Sequence, residues 1–220
     1  MGAWVLAVAL LQDASTFTVR ADAADAIARE LSGVADVERR GQLTLRYIQA
    51  MRTALAAIPM DARDREPYRA FLQRHQDAVY SEPAGQWMLS PDAIWAQHAR
   101  NHTSASAEAI AWEAVDNGMP GECEGYPPCE LATLDALDGE YLRRHPAGAH
   151  VSDAVKRIGD TCTELEQLLS APKGDQLFNP VTDCVDLIPK AQALEAALRG
   201  ARVDASTALV ALNQLRARCP

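Results

Sequence analysis

Aromatic side chains are scarce in this chain, 5% of 220 residues, and the 48% apolar content rests on alanine and leucine rather than on β-branched residues. Alanine and leucine lose little side-chain entropy in a helix, whereas β-branched and aromatic residues suit pleated surfaces, so a sheet-dominated fold is excluded. Long hydrophobic runs are missing as well. The longest, AWVLAVALL at residues 3–11, is too short to span a bilayer as a helix, and no transmembrane segment is expected. Basic charge is outweighed: 21 Lys and Arg stand against 30 Asp and Glu, a formal net charge of −9. The short basic pairs Arg39-Arg40 and Arg143-Arg144 have acidic neighbours, and such a chain repels phosphate backbones, so no nucleic-acid partner is expected.

Several catalytic signatures are absent too. The sequence holds no GxGxxG or Walker loop for a nucleotide, no GxSxG elbow, no CGxCW-like nucleophile context and no CxxC pair for zinc. No cofactor is expected, and a non-catalytic role takes precedence over an enzyme.

What is present is helical patterning. Helices are expected over residues 21–31, 35–57, 64–79, 90–101, 104–117, 129–145, 150–170, 185–199 and 204–217. The segment 35–57 is the strongest: Leu43, Ile48, Met51, Leu55 and Ile58 fall near one stripe, Arg39, Arg46 and Arg52 lie off it, and Pro59 closes it. Ser90-Pro91 is a helix start, a capping serine followed by proline in the first turn. No stretch alternates over five or more residues, so no β-hairpin is expected, and the turn SEPAG at 81–85 reads as a simple break. The fold class is all-α, antiparallel helical hairpins forming a bundle or a short repeat array. Residues 1–20 form an apolar N-terminal segment and 21–220 a single domain. The apolar run has the length of an export-signal core, yet no basic residue precedes it and QDAST is a poor cleavage site, so a first helix remains the alternative.

Five cysteines, at 123, 129, 162, 184 and 219, leave one over after two bridges. Cys123 and Cys129 bound the stretch PGECEGYPPC at 120–129, whose Pro and Gly content reads as a loop rather than a helix. A bridge there holds the loop's shape and removes only about 2 kcal/mol of chain entropy. Cys162 with Cys184 would staple the irregular segment 171–184 to the preceding helix, with Cys219 left over; pairing of Cys219 with either is equally open. Two bridges and one leftover thiol are the tally for an oxidising compartment, the periplasm or outside the cell, and in the cytosol all five cysteines would instead be buried small hydrophobes.

Trp87, Trp95 and Trp112 gather in the middle of the chain, next to Glu122, Glu124 and Tyr126 of the Cys-bounded loop. Aromatic rings with polar handles beside acidic side chains make a candidate contact surface for a protein or peptide around residues 87–130. His98 and His102 stand four apart on a helical segment, the spacing of helical zinc ligands. Ala99 occupies the position where a zincin needs its glutamate, so a metal-dependent hydrolase would have to draw one from the loop.

One internal echo stands out. Ala111 follows His102 by nine residues, Ala154 follows His145 by nine, and the two copies are offset by 43. The second copy, with Tyr141, Leu142, His145, Pro146 and Ala154, resembles the tetratricopeptide repeats of bacterial envelope proteins. There a helix ends in an aromatic-proline turn and a small residue lets the next helix approach. The resemblance covers about residues 101–170, and Thr103 replaces the proline in the first copy. A repeat is about 34 residues, so 120–129 would be an insertion between two hairpins. The resemblance implies a concave surface that binds a protein or peptide.

Overall fold

The structure is a computed structural model that describes residues 2–118, 123–171 and 177–219, with side chains from Ser15 onward. It is predominantly helical and divides into two compact units, Met1–Pro120 and Gly121–Pro220, where the sequence suggests one domain. No helix among the described residues is long and apolar enough to cross a membrane.

The first unit runs α1 (Gly2–Leu31), α2 (Val37–Leu55), α3 (Tyr68–Arg74), β1 (Ala78–Ser81), β2 (Gln86–Leu89), α4 (Pro91–Asn101) and α5 (Ala107–Asp116). The apolar run and residues 21–31 are one continuous helix, α1, with no break at residue 20. In α2, Asp36 caps the start by accepting from the backbone N–H of Arg39 at 2.8 Å, and the stripe Leu43, Ile48, Met51 and Leu55 is buried. Against that stripe pack Ile94 and Ile110 from α4 and α5, together with Phe17 of α1, whose ring meets Phe71 edge-on at 5.4 Å.

The N-terminal half of α2 grips the turn between α4 and α5. The Glu38 carboxylate accepts from the Ala105 N–H at 2.9 Å, Arg40 donates to Asn101 Oδ1 at 3.1 Å, and Asn101 donates to Thr44 at 3.2 Å. Gly41 permits this approach, because a Cβ there would overlap the Ser104 side chain.

A β-hairpin, absent from the sequence reading, follows α3. The helix expected over 64–79 occupies only Tyr68–Arg74. Pro67 immediately before it disfavours a helical Glu66, and His75 ends it through side-chain bonds to Asp25 and Tyr47 rather than by continuing the turn. Residues 78–81 and 86–89 then pair antiparallel, Ala78 opposite Leu89 and Tyr80 opposite Trp87. Each strand is four residues long, too short for alternation to register in the sequence, and residues 82–85 of SEPAG are the loop that joins them, Ser81 being the last residue of β1.

The second unit holds α6 (Pro127–Leu134), a π-helical turn (Asp135–Gly139), α7 (Glu140–Arg144), α8 (Val151–Ser170), α9 (Pro180–Gly200) and α10 (Ser206–Arg216). α8 packs on α10, and α6 on α9. Both histidines of the internal echo stand at helix ends, and Ala111 and Ala154 are buried as small contact residues.

Cys123 is bridged to Cys129, as the sequence suggests. The proline-rich half of that stretch is nevertheless helical: Pro127, Pro128 and Cys129 form the first turn of α6, where a missing proline N–H leaves no bond unmade. The second bridge joins Cys184 to Cys219, not to Cys162. Cys162 lies on the buried face of α8 with Ile158 and Leu165, and its fully covered thiol is pushed up to about 12 by burial. The pair that forms ties α9 to the chain end across 35 residues, a closure that removes about 4 kcal/mol of chain entropy from the unfolded state.

Gly41→Ala is expected to destabilise the first unit by about 1–3 kcal/mol through overpacking. Ser104→Gly in the same chain should restore most of the loss. Thermal melts of the single and double variants check this, and equal melting of wild type and Gly41→Ala would contradict the close approach.

Candidate functional site

The C-terminal half of α2 turns its polar face away from the core, and α5 and β2 stand opposite it. Between these three elements of the first unit lies a groove of about 560 Å³. Its sides are Gln49, Arg52 and Thr53 of α2, Glu113, Asp116 and Asn117 at the end of α5, and Gln86, Trp87 and Met88 of β2.

Glu113 organises the groove. Its residue is only 8% exposed, so an ionised carboxylate there needs partners, and it has three. Arg52 donates to it at 2.7 Å, Gln49 at 3.0 Å and Asn117 at 3.3 Å. The second Arg52 amino group donates to Asp116 Oδ2 at 3.0 Å. Burial works against the Arg52 charge, but the bonds and attraction of Glu113 and Asp116 outweigh it and hold the guanidinium above its ordinary range. The result is a fixed set of hydrogen-bonding groups, and Trp87 lines the same groove with its indole N–H covered. That N–H is buried with no hydrogen-bond partner in the protein, an exception among buried tryptophans.

The sequence-derived candidates are dispersed. Trp87 lines the groove. Trp95 packs against the hydrophobic core and meets His98 edge-on at 5.7 Å. Trp112, half-buried on α5, is not part of the groove's lining. Glu122 lies outside the described residues. His98 is 2% exposed, whereas His102 is exposed with its Nδ1 2.9 Å from the Ala99 carbonyl. Among the described residues no group of three metal-ligating side chains is assembled.

In the second unit, Glu124 and Gly125 form a tight reversed turn with positive φ (48° and 82°), closed by the Tyr126 N–H on the Cys123 carbonyl at 2.7 Å. The bridge to Cys129 clamps this turn, and Glu124 is left exposed in a left-handed conformation that costs a non-glycine residue about 1 kcal/mol. Tyr126 is not a free contact residue. Its hydroxyl bonds Asp183, and burial together with the Asp183 and Asp186 charges raises its pKa.

Two arrangements have no precursor in the sequence reading. Asp25, His75 and Tyr47 form a chain: His75 Nε2 lies 2.8 Å from Asp25 Oδ1, and its Nδ1 3.2 Å from the Tyr47 hydroxyl. Arg74 also holds Asp25, at 2.9 Å. Burial, then the Asp77 and Asp25 charges, push the Tyr47 phenol to about 12, so it stays protonated and the chain ties α1, α2 and α3 together rather than activating a nucleophile. The residues are 22 to 50 positions apart in the chain, and no local pattern announces them.

The second is Asp138, in the π-helical turn. It is 1% exposed, its Oδ1 makes no hydrogen bond, and Arg157 Nε lies 3.5 Å away. Burial raises the carboxyl to about 7 despite the pull of Arg157.

No family model matches the sequence, and neither does any curated protein or solved structure.

The Asp138 carboxyl gives a pH-dependent expectation. Its folded pKa lies above the unfolded value, so the folded state holds the proton more tightly. The contribution of this group to stability is therefore greatest below about 4, falls as pH rises towards 7 and is level above. Asp138→Asn, neutral throughout, is expected to stabilise the second unit by up to roughly 4 kcal/mol at pH 8 and by little at pH 4. Denaturant titrations of both proteins at a series of pH values check the sign; a constant difference would contradict a buried ionising carboxyl.

Proposed function

We propose that this protein is a non-catalytic binding protein of an extracytoplasmic compartment, periplasmic or secreted, which holds a peptide segment of a protein partner in the groove between α2, α5 and β2. The observation that carries the reading is a groove whose walls already hold Arg52, Glu113 and Asp116 in one hydrogen-bonded network. A groove with its own polar groups already oriented loses little entropy on taking a polar chain.

Two disulfides support the compartment, since such bridges persist where thiols are not kept reduced. The repeat resemblance supports the role. In both copies a histidine ends the first helix and a buried alanine follows in the second, the device by which helical hairpins stack into binding surfaces. The reading narrows the contact surface of residues 87–130 to Trp87, Glu113, Asp116 and Asn117, and adds Gln49 and Arg52 from α2.

Panning a random peptide display library on the purified, oxidised protein tests the role. Enriched peptides are expected to bind the Trp87→Phe, Asp116→Asn double variant about tenfold more weakly, the worth of one good hydrogen bond or two. Asp116→Asn conserves shape and Trp87→Phe keeps an aromatic ring at the groove wall, and circular dichroism verifies folding. Enrichment that is indifferent to the two changes would refute the groove. For the compartment, thiol counting by mass spectrometry on protein from its native host is expected to find one free thiol, Cys162; five would refute it.

A further inference from the structure

A second pocket of the first unit lies at the other end of α2. Arg40 and Thr44, one turn apart on α2, line it together with Gln97, Arg100 and Asn101 of the last turn of α4, and Leu31 closes the side where α1 ends. The space is about 420 Å³.

Its floor is polar and buried. Asn101 is 1% exposed and Thr44 is fully covered, and their hydrogen bonds fix which donors remain. Arg40 Nε donates to Asn101 Oδ1 at 3.1 Å, so the amide nitrogen of Asn101 is the group that donates to the Gln97 carbonyl at 2.8 Å and to Thr44 Oγ1 at 3.2 Å. Thr44 therefore accepts from Asn101, and its own hydroxyl proton meets no acceptor among the described residues.

Positive charge is left over as well. Arg40 uses Nε on Asn101 and Nη2 on the Arg100 carbonyl at 3.0 Å, which fixes the guanidinium and leaves Nη1 unbonded. The Arg100 guanidinium is exposed and has no hydrogen-bond or ion-pair partner among the described residues. Glu30 and Glu38, close by in the sequence, are engaged elsewhere, the first by Arg39 at 2.9 Å and the second by the Ala105 N–H. Among the described residues no carboxylate lines the pocket, so the charges of Arg40 and Arg100 stand uncompensated in a chain of net charge −9.

We infer that this pocket binds a phosphate group, held by the guanidiniums of Arg40 and Arg100 and by the Thr44 hydroxyl. Donors that reach one space from three side chains on two helices suit the several oxygens of a tetrahedral dianion better than a planar, singly charged carboxylate. Arg40 is already fixed before the ligand arrives, so little side-chain entropy is lost. The positive charge is confined to the pocket, and the acidic remainder of the chain still repels a polyanion; a single phosphate is the form that fits. Beside the phosphate there is room for a small organic group against Leu31, so the ligand is the free ion or a small phosphate monoester. The site is separate from the groove between α2, α5 and β2 and does not depend on the peptide reading.

The test titrates the full oxidised chain, isotope-labelled, with sodium phosphate, phenyl phosphate and sodium acetate in parallel, at neutral pH and constant ionic strength. Resonances of Arg40, Thr44, Arg100 and Asn101 are expected to shift and saturate with phosphate but not with acetate. Arg100→Gln, at a side chain that makes no bond within the fold, should weaken phosphate at least about tenfold, the worth of one charge-assisted bond, and Thr44→Val should weaken it several-fold. Binding of phenyl phosphate about tenfold tighter than phosphate would support a monoester as the ligand, and equal binding the free ion. Shifts that rise without saturating, or a saturating site indifferent to Arg100→Gln, would overturn the inference. Acetate saturating the same resonances as tightly as phosphate would overturn the assignment to phosphate.

Discussion

A buried carboxylate must be given partners, and in the first unit that requirement fixes where the helices stand. Glu113 projects from α5 among alanines, with its charge covered, and only Arg52 and Gln49 of α2 and Asn117 of its own helix can neutralise and bond it. Removing one side of such a pair leaves an uncompensated charge, which costs several kcal/mol, so α5 is held to the C-terminal half of α2. At the other end of α2, Glu38, Arg40 and Thr44 bind the turn that precedes α5, and Gly41 lets that turn approach. The α4–α5 hairpin is thus pinned at both ends of one helix. The groove is the space left where β2 forms the third wall.

The two units solve the problem of order by different chemistry. Those described contacts of the first are polar ties between distant segments: Arg52 to Glu113, and Asp25 to His75 to Tyr47. The second adds covalent ties, one clamping the turn before α6 and one closing α9 and α10 onto the chain end. It also carries the one buried carboxyl in its π-helical turn that is held partly by protonation rather than by full pairing. Extra residues in a helix, such as that turn, often mark functional positions. Here Asp138 lies enclosed beside Arg157, and its evident consequence is for stability.

The helices α2 and α8 were legible because each carries a periodic apolar stripe over more than ten residues. The Cys123–Cys129 bridge was legible because the two residues are so close in the chain that a turn at Gly125 suffices. Legibility failed where elements were short or partners distant. The four-residue strands have too few positions for a period, and the apparent helical spacing of Tyr68, Phe71, Leu72 and His75 ran on towards Val79 across a real helix end. Cys184 could not be assigned to Cys219 without knowing that α10 returns the chain to the start of α9. The groove offered two faint signals, an arginine on the polar face of α2 and a glutamate in the midst of an alanine-rich helix, neither of which names the other.

The sequence by itself therefore determined the helical class, the acidic surface that disfavours polyanions, and the local bridge that shapes the turn at Glu124 and Gly125, because each depends on neighbours within a few turns of chain. Only the tertiary structure decided that Trp87, rather than Trp95 or Trp112, borders a groove. It also decided that His98 is buried while His102 is exposed, that Cys162 stays a thiol, and that Arg52 meets Glu113 sixty-one residues away. Those outcomes follow from which faces the helices bury against one another, and that choice is made by the whole core at once rather than by any one segment.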